Sequence, residues 1–304
     1  MPAGIRSIRR RGVCLGLIAA AAWAAPGLIA RERPANKTVH VVALDGTTTP
    51  YKDLKKEDWG VREDGQDRKI IDVKPATDPL TVVIVADVTK FMQMSAKDVR
   101  TAVTSFIQAV QTAQPTAQVA IIGFGRQSTL FVDFGKPAAD LEKAVQRINA
   151  DPNSDATVML ESLTEAAKKL SSAASPRRAI VSLNLDGFNE VSTAPPQSVA
   201  DAVIASHASL WALTYQNAES ARVRGKVGAN REAVLNNLTK QTGGIRIPVP
   251  QAAGLDVQMK KIAEVLLGQY AVTYERPDGA APKMLQMAVA RPGAQMLVPQ
   301  VPPQ

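Results

Sequence analysis

Two apolar runs rich in β-branched residues, Thr81-Val82-Val83-Ile84-Val85-Ala86 and Ala179-Ile180-Val181-Ser182-Leu183-Asn184-Leu185, each stop abruptly at an aspartate, Asp87 and Asp186. Runs this short and this apolar read as parallel strands covered on both faces. The carboxyl end of such a strand opens onto a polar loop, where open α/β sheets take their ligands. Asp87 and Asp186 are therefore expected at one edge of one sheet.

Two more strand-like runs, 118–124 and 209–215, alternate with helical patterns. Over 95–113, Val99, Ala102, Val103, Phe106, Ile107 and Val110 form one apolar stripe at helical spacing. Helical patterns also cover 139–148, 158–170, 198–207 and 231–241, the last followed by Gly243-Gly244 as a C-terminal cap. Strand and helix in this alternation predict an α/β fold over 79–245, a doubly wound, mostly parallel, Rossmann-like sheet flanked by helices. Short β segments are expected at both ends. In 31–78, a polar linker precedes a strand from Thr38, a turn at Asp45-Gly46 and a small β module. In 246–304, a helix over 255–267 leads to strands at 269–275 and 283–290, which read as a hairpin about Pro277-Asp278-Gly279.

The first thirty residues carry Arg6, Arg9, Arg10 and Arg11, then an apolar stretch from Val13 to Ala22 and the small-x-small pattern Ala22-Trp23-Ala24. That order predicts a signal peptide over 1–30; an uncleaved anchor is the alternative, and Pro26 with the shortness of the stretch favours cleavage. Cleavage lowers the net charge from +8 to +4 and removes the one cysteine, Cys14. The mature chain then lacks the basicity expected of a nucleic-acid binder, and has no disulfide to support its core.

In order and context these pieces resemble the von Willebrand factor type A domain. That family binds a divalent cation through an Asp-x-Ser-x-Ser loop, a distant Thr and a distant Asp-Gly. Position by position, Asp87 matches the loop aspartate, Thr89 stands at the first serine, Thr157 matches the distant threonine and Asp186 the second aspartate. Phe91 occupies the second serine position and removes a hydroxyl ligand, a loss on the order of 2 kcal/mol, or roughly thirtyfold in affinity. Segments 54–65 and 269–293 resemble the flanks of a bacterial secreted subfamily of the same family. The resemblance implies an exported, non-catalytic module in the periplasm, cell envelope or extracellular space, with no membrane span in the mature chain. It recognises a protein or matrix partner with help from Mg2+ or Ca2+ held by Asp87, Thr89, Thr157 and Asp186.

Other roles are open to the same residues. Asp87 can cap its loop through backbone amides, Thr157 can be a helix N-cap, and Asp186-Gly187 can be a turn. The metal site can also have decayed to leave a structural module that binds by another face. The enzymatic alternative is a haloacid-dehalogenase-like phosphotransferase with Asp87 as nucleophile, although Thr89 stands where that family has a second Asp. Gly123-Phe124-Gly125 lacks a dinucleotide loop's third glycine, and no phosphate-binding or nucleophile-elbow motif occurs. Met92 is expected in the core, His207 is expected as a packing or surface residue, and His40, the only other histidine, sits in the entry strand, so a histidine-based metal or catalytic cluster is not expected. Mass spectrometry of exported protein is expected to find an N-terminus between Ala25 and Arg31; recovery of intact Met1 in membranes contradicts cleavage.

Overall fold

The structure, a computed structural model, describes residues 35–46, 48–187, 189–218, 220, 228–277 and 281–302. The leader expected over 1–30 and the turn residues Asp278 and Gly279 lie outside them. Five strands come first: β1 (Ala35–Asp45), β2 (Thr49–Pro50), β3 (Trp59–Glu63), β4 (Gln66–Arg68) and β5 (Ile70–Pro75). The α/β unit follows as β6 (Leu80–Asp87), α1 (Ala96–Ala113), β7 (Gln118–Phe124), β8 (Ser128–Val132), α2 (Ala138–Gln146), α3 (Met159–Ser171), β9 (Arg177–Leu185), α4 (Pro196–Ala205), β10 (Ala208–Tyr215), α5 (Ala229–Gln241) and β11 (Arg246–Val249). The chain closes with α6 (Leu255–Leu267), β12 (Tyr270–Arg276), β13 (Leu285–Val289) and β14 (Ala294–Leu297).

The main sheet has the order β11-β10-β9-β6-β7-β8, parallel throughout except for the antiparallel edge pair β7–β8. Alternate residues of β6 enter opposite cores, as the pleat demands. Val82, Ile84 and Ala86 pack with α1, α2 and α6 on one face, while Val83 and Val85 pack with α3, α4 and α5 on the other. Each such valine or isoleucine, removed from water, contributes roughly 1.5–3 kcal/mol. The chain moves from β6 outward to β7 and β8, then returns to the other side of β6 for β9. The switch point lies between β6 and β9, and brings the ends of those strands together.

Two expectations change. Residues 269–275 and 283–290 do not form a hairpin. Both edges of β12 are taken, by β1 (Val272 opposite Val39) and by β5 (Val272 opposite Val73), so β13 pairs instead with β3, Met287 opposite Val61. The α/β unit also runs past 245: β11 extends the sheet beside β10, and Leu255, Met259, Ile262 and Leu266 of α6 join the α1 side of the core. β1 lies between β12 and β14, so the two terminal segments complete one sheet. The β3–β4 hairpin turns at Asp64 and Gly65, with φ of 48° and 79°, a pair of left-handed residues that matches strand twist.

Glu63, at the end of β3, is fully buried where the two smaller sheets meet. It accepts hydrogen bonds from Arg276 (Nη2, 2.5 Å), the Tyr274 hydroxyl (2.6 Å) and Arg68 Nε (3.0 Å). Burial pushes its carboxyl up, but the bonds from Arg276, Tyr274 and Arg68 outweigh burial and hold it below the ordinary 4.5. A depressed carboxylate stabilises the fold at pH above its unfolded value, and that contribution is lost as pH falls through the folded value. Glu63→Gln is expected to lower stability by about 3 kcal/mol at neutral pH and to flatten the acid limb below about pH 4.5, measured by urea unfolding across pH. Identical acid limbs in both proteins contradict this.

Candidate functional site

The strand register fixes the meeting point. Ala86 lies opposite Leu183 and Leu185 opposite Tyr215, so Asp87, Asp186 and Tyr215 reach the same carboxyl edge. Beyond β6 the chain passes through a 3-10 turn, Lys90–Ser95, before entering α1. Backbone bonds from Lys90 to Ser154 (2.8 Å) and from Asp151 to Val88 (2.9 Å) pin this loop to the 151–154 segment. Asn217, just past β10, donates to the Phe91 carbonyl at 2.8 Å and ties a second loop to the first. As expected, Met92 is buried in the core.

Asp87 has no exposed surface. Its Oδ1 accepts from the Thr89 amide (2.8 Å) and the Thr89 hydroxyl (2.7 Å), so the aspartate closes its own loop. Its Oδ2 has no hydrogen-bond partner of ordinary geometry. Burial holds the Asp87 carboxyl above its ordinary value, and the Thr89 amide, the positive charge of Arg231, the Thr89 hydroxyl and the Leu185 amide act in the other direction without outweighing it. A carboxylate without exposed surface offers no approach to a phosphoryl group, which weighs against the nucleophile role.

Thr157 is not the N-cap of α3; Val158 holds that position without a side-chain bond. The Thr157 hydroxyl donates to Glu190 Oε2 at 2.8 Å, and Glu190 Oε1 accepts from the Met159 amide at 3.0 Å and from the Ser192 hydroxyl. Glu190 thus caps α3 from a neighbouring loop, an anion at the positive end of the helix dipole. Asp186 is half-buried, donates its backbone amide to the Tyr215 carbonyl (2.8 Å) and receives Gln216 Nε2 on Oδ2 at 3.1 Å. Gly187 follows with φ of 92°, which realises the turn. A groove of about 940 Å³ opens beside Asp186, lined also by Gln216, Arg246, Pro248 and Met296.

Two buried residues beneath this edge were not expected. Arg231, in the first turn of α5, is 1% exposed and donates from Nη2 to the Leu185 carbonyl at 2.9 Å, while its Nε and Nη1 have no partner. The Tyr215 hydroxyl is buried and likewise lacks a bond of ordinary geometry; burial, then the Asp87 charge, push it well above its ordinary value. One sequence signal pointed to Arg231. It opens the stripe Arg231, Val234, Leu235, Leu238, an arginine at a position where helical spacing asks for an apolar side chain. Glu190 carries no comparable signal, since its partners on the α3 side, Thr157 and Met159, lie about thirty residues away in sequence.

Three of the matched residues are each engaged by a neighbour within the chain. Thr157 turns its hydroxyl proton to Glu190, Thr89 turns its own to Asp87, Asp186 engages Gln216, and Phe91 lies half-buried beside the loop. Among the described residues no three carboxylate, imidazole or thiol side chains gather as a metal-binding group.

Residues 82–188 match the family described as von Willebrand factor type A domain. The α/β unit has the type A fold. The pilus adhesin SpaC from Lactobacillus rhamnosus GG, in its open conformation, is similar at a TM-score of 0.50 and 13% identity, over 79% of this chain and 43% of that one. Proximal thread matrix protein 1 from the mussel byssus is similar at 0.47 and 14%, over 65% and 49%. A von Willebrand factor type A protein from Catenulispora acidiphila is similar at 0.45 and 14%, over 88% and 72%. This chain spans about half the length of the byssus protein. A comparison with curated proteins gives no match. Within the type A unit, Glu190→Ala is expected to cost about 1–2 kcal/mol in urea unfolding, because the α3 amide and the Thr157 hydroxyl lose their acceptor; an unchanged midpoint contradicts the capping role.

Proposed function

We propose that this protein is an exported, non-catalytic module that binds another protein or a matrix component at the cell envelope, through the face where β6, β9 and β10 end. The observation that carries this reading is apolar surface displayed at the switch point. Met94, in the loop after β6, is 69% exposed and Val191, in the loop after β9, is 41% exposed. The Lys90 ammonium stands 5.1 Å from the centre of the half-buried Phe91 ring, and Asp155, paired with Arg126, directly follows the 151–154 segment that pins the loop. Apolar side chains bordered by charge are what protein interfaces offer, and open α/β folds bind at this edge.

Support for a binding role comes also from the type A match, since the family resemblance implies recognition without bond making. The SpaC protein shares the fold, and its being a pilus adhesin is in keeping with this reading. Export rests on the leader pattern in 1–30, and no described helix is long and apolar enough to cross a membrane. The test is differential capture of envelope proteins by immobilised protein. Met94→Asp is expected to weaken retention of a specific partner at least about tenfold, while Gln118→Asp, exposed at the opposite end of the sheet, leaves it unchanged. Equal retention by the two variants contradicts binding at this face.

A further inference from the structure

We propose that Arg231 supplies, from within the chain, the positive charge that a divalent cation supplies in the related site, so that the Asp87 loop is held in a cation-independent form. The register places the components. Asp87 ends β6, Leu185 ends the adjacent β9, and Tyr215 ends β10 opposite Leu185. The Arg231 guanidinium reaches this row from α5 and anchors by Nη2 on the Leu185 carbonyl, one residue before Asp186. Its remaining Nε and Nη1 donors are unpartnered and shielded from water, and so is the Asp87 Oδ2 acceptor.

The position of Arg231 in its own helix points the same way. It occupies the first turn of α5, where the helix dipole disfavours a cation, and a slot of the stripe that Val234, Leu235 and Leu238 otherwise fill. Neither local helix stability nor apolar packing selects arginine there. A buried guanidinium needs an anion nearby, and a fully buried carboxyl keeps its charge only with a cation or donors beside it. The Arg231 charge acts on Asp87. A divalent ion placed on Asp87 would meet the field of a fixed guanidinium and would have to displace the proton that Thr89 donates. Phe91 at the second serine position then costs nothing, because the ligand it replaces has no ion to hold. This charge arrangement is independent of whether the face above it takes a protein partner.

Thermal unfolding of the full mature chain tests the assignment without any partner. In wild type, millimolar magnesium, calcium or manganese against a chelator is expected to leave Tm unchanged to within about 1 °C. Arg231→Met is expected to lower Tm by about 10 °C, and to lower it far less in an Asp87→Asn background, because the carboxylate that needed compensation is gone. In Arg231→Met, manganese is expected to recover several degrees. A saturable rise in wild-type Tm with any of the three cations overturns the proposal, and so do strictly additive losses in Arg231→Met, Asp87→Asn and the double variant. Should Arg231→Met fail to fold, terbium luminescence on wild type takes its place: sensitised emission that magnesium competes away overturns the internal-cation assignment, and its absence supports it.

Discussion

A carboxylate with no exposed surface at the end of a fully buried strand cannot be left to itself, because water no longer solvates its charge. Asp87 is in that position, and much of the local structure follows from it. Thr89 turns both its amide and its hydroxyl inward to one carboxylate oxygen, which sets the sharp exit from β6 and starts the 3-10 turn into α1. Arg231 is buried on a helix face that it shares with Val234, Leu235, Leu238 and Thr239, and the Tyr215 hydroxyl is buried close enough to feel the charges of Asp87 and Arg231. The exit loop of β6 is thereby held by Thr89 on the Asp87 carboxylate.

The surroundings of that edge are equally dependent on long-range pairing. Glu190 closes the start of α3 through Thr157 and Met159, so the distant threonine of the family motif is a structural partner of a loop after β9. Asn217 fastens the loop after β10 to the carbonyl of Phe91. Three loops from three adjacent strands are therefore cross-braced, and Met94 and Val191 are displayed from two of them. A rigid frame with apolar tips favours binding because less side-chain and loop entropy is lost on association.

At the opposite extreme of the chain, β1 links segments separated by more than two hundred residues. It pairs with β12 along seven positions and then with β14, and Glu63 of β3 adds a buried charge network to Tyr274 and Arg276 of β12. Those contacts make the terminal segments part of the fold's closure. The hairpin expected around 277–279 failed for a related reason: the pattern of 269–275 announces a strand, but strand patterns do not name partners, and β1 and β5 already occupy both edges of β12.

By itself the sequence determined the central elements and their architecture. Residues 81–86, 118–124, 179–185 and 209–215 became the central strands, and 255–267 became α6, because periodicity and β-branched runs are local properties. It also determined that Asp87 and Asp186 share an edge, since parallel strands in alternation with helices carry their ends to the same side. Only the tertiary structure decided what those residues do there. It gave the Thr157 hydroxyl to Glu190, Asp186 to Gln216 and the charge of Arg231 to the neighbourhood of Asp87. Hydrogen-bond and charge partners are chosen by distance in space, and residues 87, 185 and 231 become neighbours only once the sheet and α5 have formed around them.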